Sequence, residues 1–442
     1  MILRGGTVLT LDAEARVLET ADVRIEDGKI AAVGSSLDAP PGTRVLDVSG
    51  DLVLPGLIQG HVHLGQTFFR GLAEDRKLLA WLRDRIWPLE AAHDDESAYW
   101  CGMLGAAECL LSGTTTIQDI GIGPGIRGLL RALEDSGLRA QAGKCLMDEG
   151  DQLPPELAED TDATLAHAVE LGEAFHGSRS GRLRHVLNPR FILSCSDALW
   201  RGLREVADRH GWPVHTHALE QRDETEAVMR LKGKDEIAYF DQAGFLEHDF
   251  CMAHGVWLTG DHLRHLMNRP VSVVHCPSSN LKLGSGIADL PMLRRAEIPV
   301  GLGTDGAACS NTLDAFQETR LAALLQKMHH GPDRFGGLDA LRLATSEGAR
   351  ALRWDDEIGS VEPGKAADLV VLDAKRPELV VSPRVDPHDA VAFGASGASV
   401  RHVMVDGEIQ VEDGRLARLD LDEIRREAKR CLGDLLGRAR LP

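Results

Sequence analysis

Apolar and polar positions alternate with two different periods along this chain, and the change of period divides it. Up to about residue 55 the apolar residues come in short β-branched runs, such as Gly6-Thr7-Val8-Leu9-Thr10-Leu11 and Lys29-Ile30-Ala31-Ala32-Val33. Gly, Asp and Pro punctuate these runs, which predicts short strands joined by tight turns. The texture returns at Ala367-Asp368-Leu369-Val370-Val371-Leu372-Asp373 and at 400–411, and Asp406-Gly407-Glu408-Ile409 echoes Asp27-Gly28-Lys29-Ile30. Between these ends, apolar runs of strand length alternate with stretches of helical period. Strands are predicted from Leu54 to His63, then at 114–119, 138–146, 183–191, 213–218, 250–257, 271–275 and 299–303. Helices are predicted at 75–87, 94–112, 126–136, 161–176, 197–210, 222–231, 261–267, 289–296, 312–328 and 337–352. Eight strand–helix units over roughly 300 residues imply an α/β chain built as a (β/α)8 TIM barrel. The expected domains are a small β-sandwich from both termini (1–55 plus 358–420), the barrel (56–357) and a C-terminal helix (421–442).

A barrel places its chemistry at the C-terminal ends of its strands. The first predicted strand ends in His61-Val62-His63, and residues two apart in a strand share a face, so two imidazoles can reach one ion. At this histidine content chance alone supplies about 0.7 such triplets, so the pair carries little by itself. The later strand ends change that. The fifth ends in His215-Thr216-His217, with Glu220 three residues beyond, the sixth at His254, the seventh at His275 and the eighth at Asp305. Three imidazoles and a carboxylate suit one divalent ion, zinc first and ferrous iron as the alternative, and leave a coordination position for water. Such an ion makes water a nucleophile near neutral pH, and a carboxylate outside the ligand set can shuttle protons. His215 shares a strand face with His217, so spacing does not decide which of the two is the ligand.

Composition narrows the partners. The 442 residues are 43% apolar and 26% charged, with a formal net charge of -19, which argues against nucleic acid. No apolar run is long enough to span a membrane, and no signal-peptide pattern opens the chain. The eight cysteines form no Cys-x-x-Cys pair, so neither a structural zinc site nor a disulfide framework is expected, and a reducing cytoplasmic setting is the default.

The chain resembles the aminohydrolase branch of the amidohydrolase superfamily, which includes methylthioadenosine/adenosylhomocysteine deaminases, guanine deaminases and triazine hydrolases. The segments that carry the resemblance are 55–63, 69–75, 86–90, 112–116, 217–220, 275–286, 301–306 and 359–370. It implies His61, His63, His217 and Asp305 as metal ligands, His254 as the group that orients the attacking water, Asp305 as its base, and Glu220 as the acid that protonates a ring nitrogen before ammonia leaves. Asn188-Pro189-Arg190-Phe191 stands where binuclear members carry a carboxylated lysine, so one metal is expected. A homodimer or higher homo-oligomer is also implied.

Substrate identity divides the motifs. Trp81 and Glu90 match residues that meet the ribose side in adenosine-type deaminases, and a carboxylate can accept from two vicinal hydroxyls. Gln66 and Arg190 match residues that hold the base in guanine deaminases, and a guanidinium suits a carbonyl-bearing ring. Lys144, Phe191 and His275 complete the expected substrate contacts, with Glu220 and His254. An adenosine derivative of the 5'-deoxyadenosine, methylthioadenosine or adenosylhomocysteine type is the leading expectation. Guanine or another oxo-purine, or a triazine, is the alternative. From other classes, a non-enzymatic barrel scaffold competes, and so does an NAD-dependent oxidoreductase. The latter rests on Gly123-Pro124-Gly125-Ile126-Arg127-Gly128, which fits G-x-G-x-x-G with Asp148 further on. That fingerprint belongs to a doubly wound sheet, and here it falls in the second unit of a barrel.

Overall fold

A computed structural model describes residues 1–441, and contacts divide the chain into two compact units. The first comprises Met1–Gln59, Ala107–Thr116 and Asp314–Asp420. Its centre is a nine-stranded sheet that draws strands from both chain ends. The join is the antiparallel pairing of Leu52–Pro55 with Leu369–Leu372, in register from Leu52 opposite Leu372 to Pro55 opposite Leu369. Leu3, Val8, Val23, Ile30, Val53, Leu369 and Met404 share one buried cluster there. The Asp-Gly echo has a structural meaning. Asp27 and Gly28 (φ 48° and 77°) and Asp406 and Gly407 (φ 49° and 71°) all lie in the left-handed region, as two-residue hairpin turns require.

The second unit comprises Gly60–Ala106, Ile117–Leu313 and Leu421–Pro442. The barrel strands are Leu57–His63, Thr114–Asp119, Arg139–Ala142 with Cys145–Leu146, Leu183–His185 with Asn188–Pro189, Val214–Ala218, Phe250–His254, Val271–His275, and Val300–Leu302 with Asp305–Gly306. They pair in cyclic order. One run links the fourth, third, second, first and eighth strands, and another links the fifth to the eighth. The seam between fourth and fifth is closed by a parallel bridge from Leu187 to Val214 and by the His217 N–H donating to the Arg190 carbonyl at 3.0 Å. Eight strands are therefore present; the third and fourth are broken where continuous runs are predicted, and the eighth, predicted at 299–303, has a second piece at Asp305–Gly306.

The eighth shows why. A Cβ on Gly303 would lie 2.5 Å from the His61 carbonyl, so glycine lets this strand approach the first. Asp305 then takes φ 61°, and His254 takes φ 73° at the end of the sixth strand. Non-glycine residues hold such angles only where surrounding structure compels them, commonly at functional sites. The helix predicted at 75–87 runs from Leu78 to Ala91 and contains a wide π-type turn at Leu82–Ile86. Pro88 has no N–H to close the ordinary ladder there, which explains the change of winding. The helix predicted at 337–352 is two, Gly337–Leu343 and Ser346–Ala351, separated at Thr345 by a non-helical backbone. The terminal helix Leu421–Arg438 buries Ile424, Ala428, Cys431 and Leu435, a stripe at helical spacing. No helix among the described residues is long and apolar enough to cross a membrane.

Candidate active site

The strand ends converge as the alternation predicts. Ring nitrogens of His61, His63 and His217 all lie within 4.8 Å of one another, and so do donor atoms of His61, His254 and Asp305. Asp305 Oδ1 is 3.4 Å from His61 Nε2 and 3.3 Å from His63 Nε2, while His63 Nε2 is 3.1 Å from His217 Nε2. The outward ring nitrogens have their own partners. His217 Nδ1 donates to the Arg190 carbonyl at 2.7 Å, and His254 Nδ1 to Asn280 Oδ1 at 2.9 Å. Each hydrogen bond fixes a tautomer that leaves Nε2 with a lone pair facing the cluster. Nε2 of His61 and of His254 has no hydrogen-bond partner among the described residues, although both are buried. Inward lone pairs beside a buried carboxylate fit a divalent ion.

His215 lies behind this cluster. Its Nε2 is 2.7 Å from His61 Nδ1, and its Nδ1 donates to the Cys251 carbonyl at 3.2 Å. It orients His61 and belongs to neither group of converging donor atoms.

Burial sets the protonation states. It lowers the pKa of His61, His63, His217 and His254, so all four imidazoles are neutral near pH 7. Burial also opposes the Asp305 charge, but the imidazoles of His61, His63 and His254 around it outweigh burial and hold the carboxyl well below its ordinary range. Glu220 goes the other way. Burial, then the Asp305 carboxylate, raise it well above the ordinary range. Its Oε2 is 3.5 Å from His254 Nε2, and Ser285 Oγ donates to Oε1 at 3.4 Å. Two neighbouring carboxyls are thus shifted in opposite directions, the arrangement that separates an acid from a base.

These side chains border a small cavity. Trp81, Arg190 and Phe191 line it together with His63, His217, Glu220, His254 and Asp305. Trp81 Nε1 is buried with no hydrogen-bond partner among the described residues.

A family profile described as "Amidohydrolase family" matches residues 52–410. The chain belongs to the amidohydrolase family. It is 36% identical over 425 residues to the 5'-deoxyadenosine deaminase of Methanothermobacter thermautotrophicus, covering 96% of this chain and 97% of the relative. It is also 36% identical over 421 residues to the 5-methylthioadenosine/S-adenosylhomocysteine deaminase of Symbiobacterium thermophilum, covering 93% and 94%. Among solved structures, an adenosine deaminase from Xanthomonas campestris with bound zinc is similar, with TM-score 0.91, 30% identity, and 99% and 98% of the two chains covered.

Not every expected residue reaches the cavity of this amidohydrolase. Lys144, expected to contact substrate, falls in the break of the third strand, where its ammonium pairs with Glu159 and lies 3.2 Å from His167 Nδ1, and it is not among the cavity-lining residues. His275 is buried and outside the cavity wall, with neither ring nitrogen hydrogen-bonded to a described residue. Gln66 and Glu90 stand behind the wall and bond to each other at 2.9 Å. Sequence reasoning missed Asn280, Ser279 and Ser285. Ser279 Oγ donates to Asp305 Oδ2 at 2.6 Å. The one signal for these three was their place in the 275–286 segment just beyond a strand end.

The dinucleotide fingerprint has a packing explanation. A Cβ on Gly128 would sit 1.8 Å from the Asp95 carbonyl, so the glycine permits a close helix crossing. Asp148 accepts from Ser196 N–H at 2.7 Å and from the Thr161 hydroxyl at 2.7 Å, and serves the loops.

Proposed function

We propose that this amidohydrolase is a metal-dependent aminohydrolase that removes an exocyclic amino group, as ammonia, from an adenosine derivative of the 5'-deoxyadenosine, methylthioadenosine or adenosylhomocysteine type. The observation that carries this reading is the convergence of His61, His63, His217 and Asp305 beside a buried Glu220. These four residues would hold one divalent ion, most simply zinc, as in the Xanthomonas campestris structure. When bound, such an ion supplies Lewis acidity that makes water a nucleophile near neutral pH.

The protein's own groups do the rest. Glu220, protonated by its burial, gives its proton to a ring nitrogen and makes the adjacent carbon electrophilic. Asp305, held ionised, accepts a proton from the attacking water, and His254 Nε2 orients that water with Asn280 behind it. As the tetrahedral adduct collapses, the proton taken by Asp305 passes to the departing amino group, which leaves as ammonia, and the adduct's hydroxyl returns a proton to Glu220. Trp81 offers an apolar face and an unpartnered N–H to the substrate. The same reading includes a homo-oligomer in a reducing cytoplasm, supported on the redox side by eight buried free cysteines. It also includes closure of the terminal sheet into a sandwich, supported by the core its strands share.

A second reading, an oxo-purine deaminase, draws on Arg190, whose side chain lines the cavity. One experiment separates them. Ammonia release is measured from 5'-deoxyadenosine, methylthioadenosine, adenosylhomocysteine, adenosine and guanine, with metal quantified in the same protein. Turnover of adenosine derivatives by zinc-replete protein supports the proposal. Turnover of guanine alone, or of none, refutes it.

A further inference from the structure

Glu224 stands in the first turn of the helix Arg222–Lys232, where a glutamate ordinarily faces water, yet it is 1% exposed. A glutamate at this place commonly accepts the N–H of the residue that caps the helix. Glu224 Oε2 does accept from the Gln221 N–H, at 3.3 Å, but its shorter bond, 2.9 Å, is to the N–H of Glu220 itself. The Glu220 carboxyl has only long contacts, 3.5 Å to His254 Nε2 and 3.4 Å to the Ser285 hydroxyl. Its place is therefore set by its backbone. That backbone is a turn out of the fifth strand in which Leu219 takes φ 54°, an angle that a leucine holds only where its surroundings compel it. The Leu219 carbonyl accepts from the Trp257 N–H at 3.1 Å, and Gln221 Nε2 donates to the Leu283 carbonyl at 2.7 Å. These bonds fix the residues on either side, and Glu224 fixes the one between them.

We infer that Glu224 is a positioning residue that holds the Glu220 N–H and thereby aims the Glu220 carboxyl at the substrate. The inference rests on the reading of Glu220 as the acid. Burying a carboxyl is costly, and an exposed one would cap the helix equally well. Burial favours the neutral form of Glu224, whose carbonyl oxygen has two lone pairs, one for each N–H. A general acid acts only within hydrogen-bond reach of its target, and a displacement of about 1 Å can cost about 10²-fold. Glu224 also borders the cavity, so a direct acid role competes with this one. The two differ in what the side chain must supply: an acceptor oxygen for positioning, a proton for acid catalysis.

The test is ammonia release from the substrate that zinc-replete wild type turns over best, 5'-deoxyadenosine on the proposed reading. It compares wild type, Glu224→Gln and Glu224→Met. Glutamine keeps the acceptor oxygen and loses the proton, whereas methionine keeps the length and loses both. Glu224→Met is expected to lower kcat about 10–100-fold, with KM and metal content near wild type. Glu224→Gln is expected to recover most of that loss. In a Glu220→Gln background Glu224→Met should add little, because the group it positions no longer carries a proton. A glutamine variant as impaired as Glu220→Gln would show that Glu224 gives up its own proton. A methionine variant with wild-type kcat, or losses that add in full in the double variant, would show no action through Glu220. Each of these results overturns the inference. If Glu224→Met does not fold, Glu224→Asp, whose carboxyl is a methylene short of the Glu220 N–H, takes its place with the same expected fall in kcat. A zinc-replete wild type that turns over none of the substrates overturns the proposed function and this inference with it, whereas an active wild type with unaffected variants overturns this inference alone.

Discussion

Replacing Glu220 with glutamine isolates the proton on which the proposed chemistry depends. Glu220 is 2% exposed, and its carboxyl sits between His254 Nε2 at 3.5 Å and the Ser285 hydroxyl at 3.4 Å. Glutamine has nearly the same volume, and its amide oxygen can still accept from Ser285. What it lacks is a proton to release. Because burial and the Asp305 carboxylate raise the Glu220 pKa and favour its protonated form, the substitution preserves that form's charge and shape and removes the acid. A positioned general acid is worth about 10²–10⁴-fold, or about 3–5 kcal/mol of barrier. Ammonia release, followed through a glutamate dehydrogenase couple, should therefore lose about 10²–10⁴-fold in kcat/KM. Metal content and thermal midpoint should stay at wild-type values, since Glu220 is not assigned as a ligand. Turnover within about tenfold of wild type would show that no general acid acts there. Loss of the metal together with activity would show instead that Glu220 is a ligand.

Four other substitutions probe separate parts of the site and the fold. His217→Ala should lose the ion on dialysis, and His215→Ala, which removes the partner of His61, should weaken binding about 10–100-fold; metal-to-protein ratios by mass spectrometry check both, and full occupancy in His217→Ala sinks its ligand role. Gly128→Ala places a methyl against the Asp95 carbonyl and should cost about 1–3 kcal/mol in urea unfolding, whereas an unchanged midpoint would leave the glycine fingerprint without its packing explanation. Glu224 accepts the Glu220 and Gln221 N–H groups, and burial, then the Glu236 and Glu220 carboxyls, raise its pKa well above the ordinary range. The folded chain thus keeps a proton that the unfolded chain releases, so stability falls as pH rises from the ordinary carboxylate range toward the raised one. Glu224→Gln should accordingly gain about 1–3 kcal/mol on wild type at about pH 8 and less at about pH 5; an equal gain at both would refute the linkage.

The fold was legible because the barrel writes itself locally. Strand runs and helical periods recur eight times, and period-two alternation brings His61 and His63 to one face. Strand ends carried the metal-competent residues, so the cluster could be named before its geometry was known. Breaks within strands were less visible. Lys144 sits in an apolar run that reads as continuous, yet that strand stops at Ala142 and resumes at Cys145, which sends the ammonium to Glu159. His215 and His217 share a face, and only the closed barrel shows that one lies behind His61 while the other faces His63.

By itself the sequence determined which donors this chain carries, which strands end in them, and hence the class of chemistry open to it. Tertiary structure decided how the remaining polar residues are used. Gln66 meets Glu90 across 24 residues, and Arg190 meets Glu90 across 100. A side chain's hydrogen-bond partner depends on distances that exist only once the fourth strand has closed against the fifth. Residues whose motifs speak for opposite substrates can therefore become one buried network.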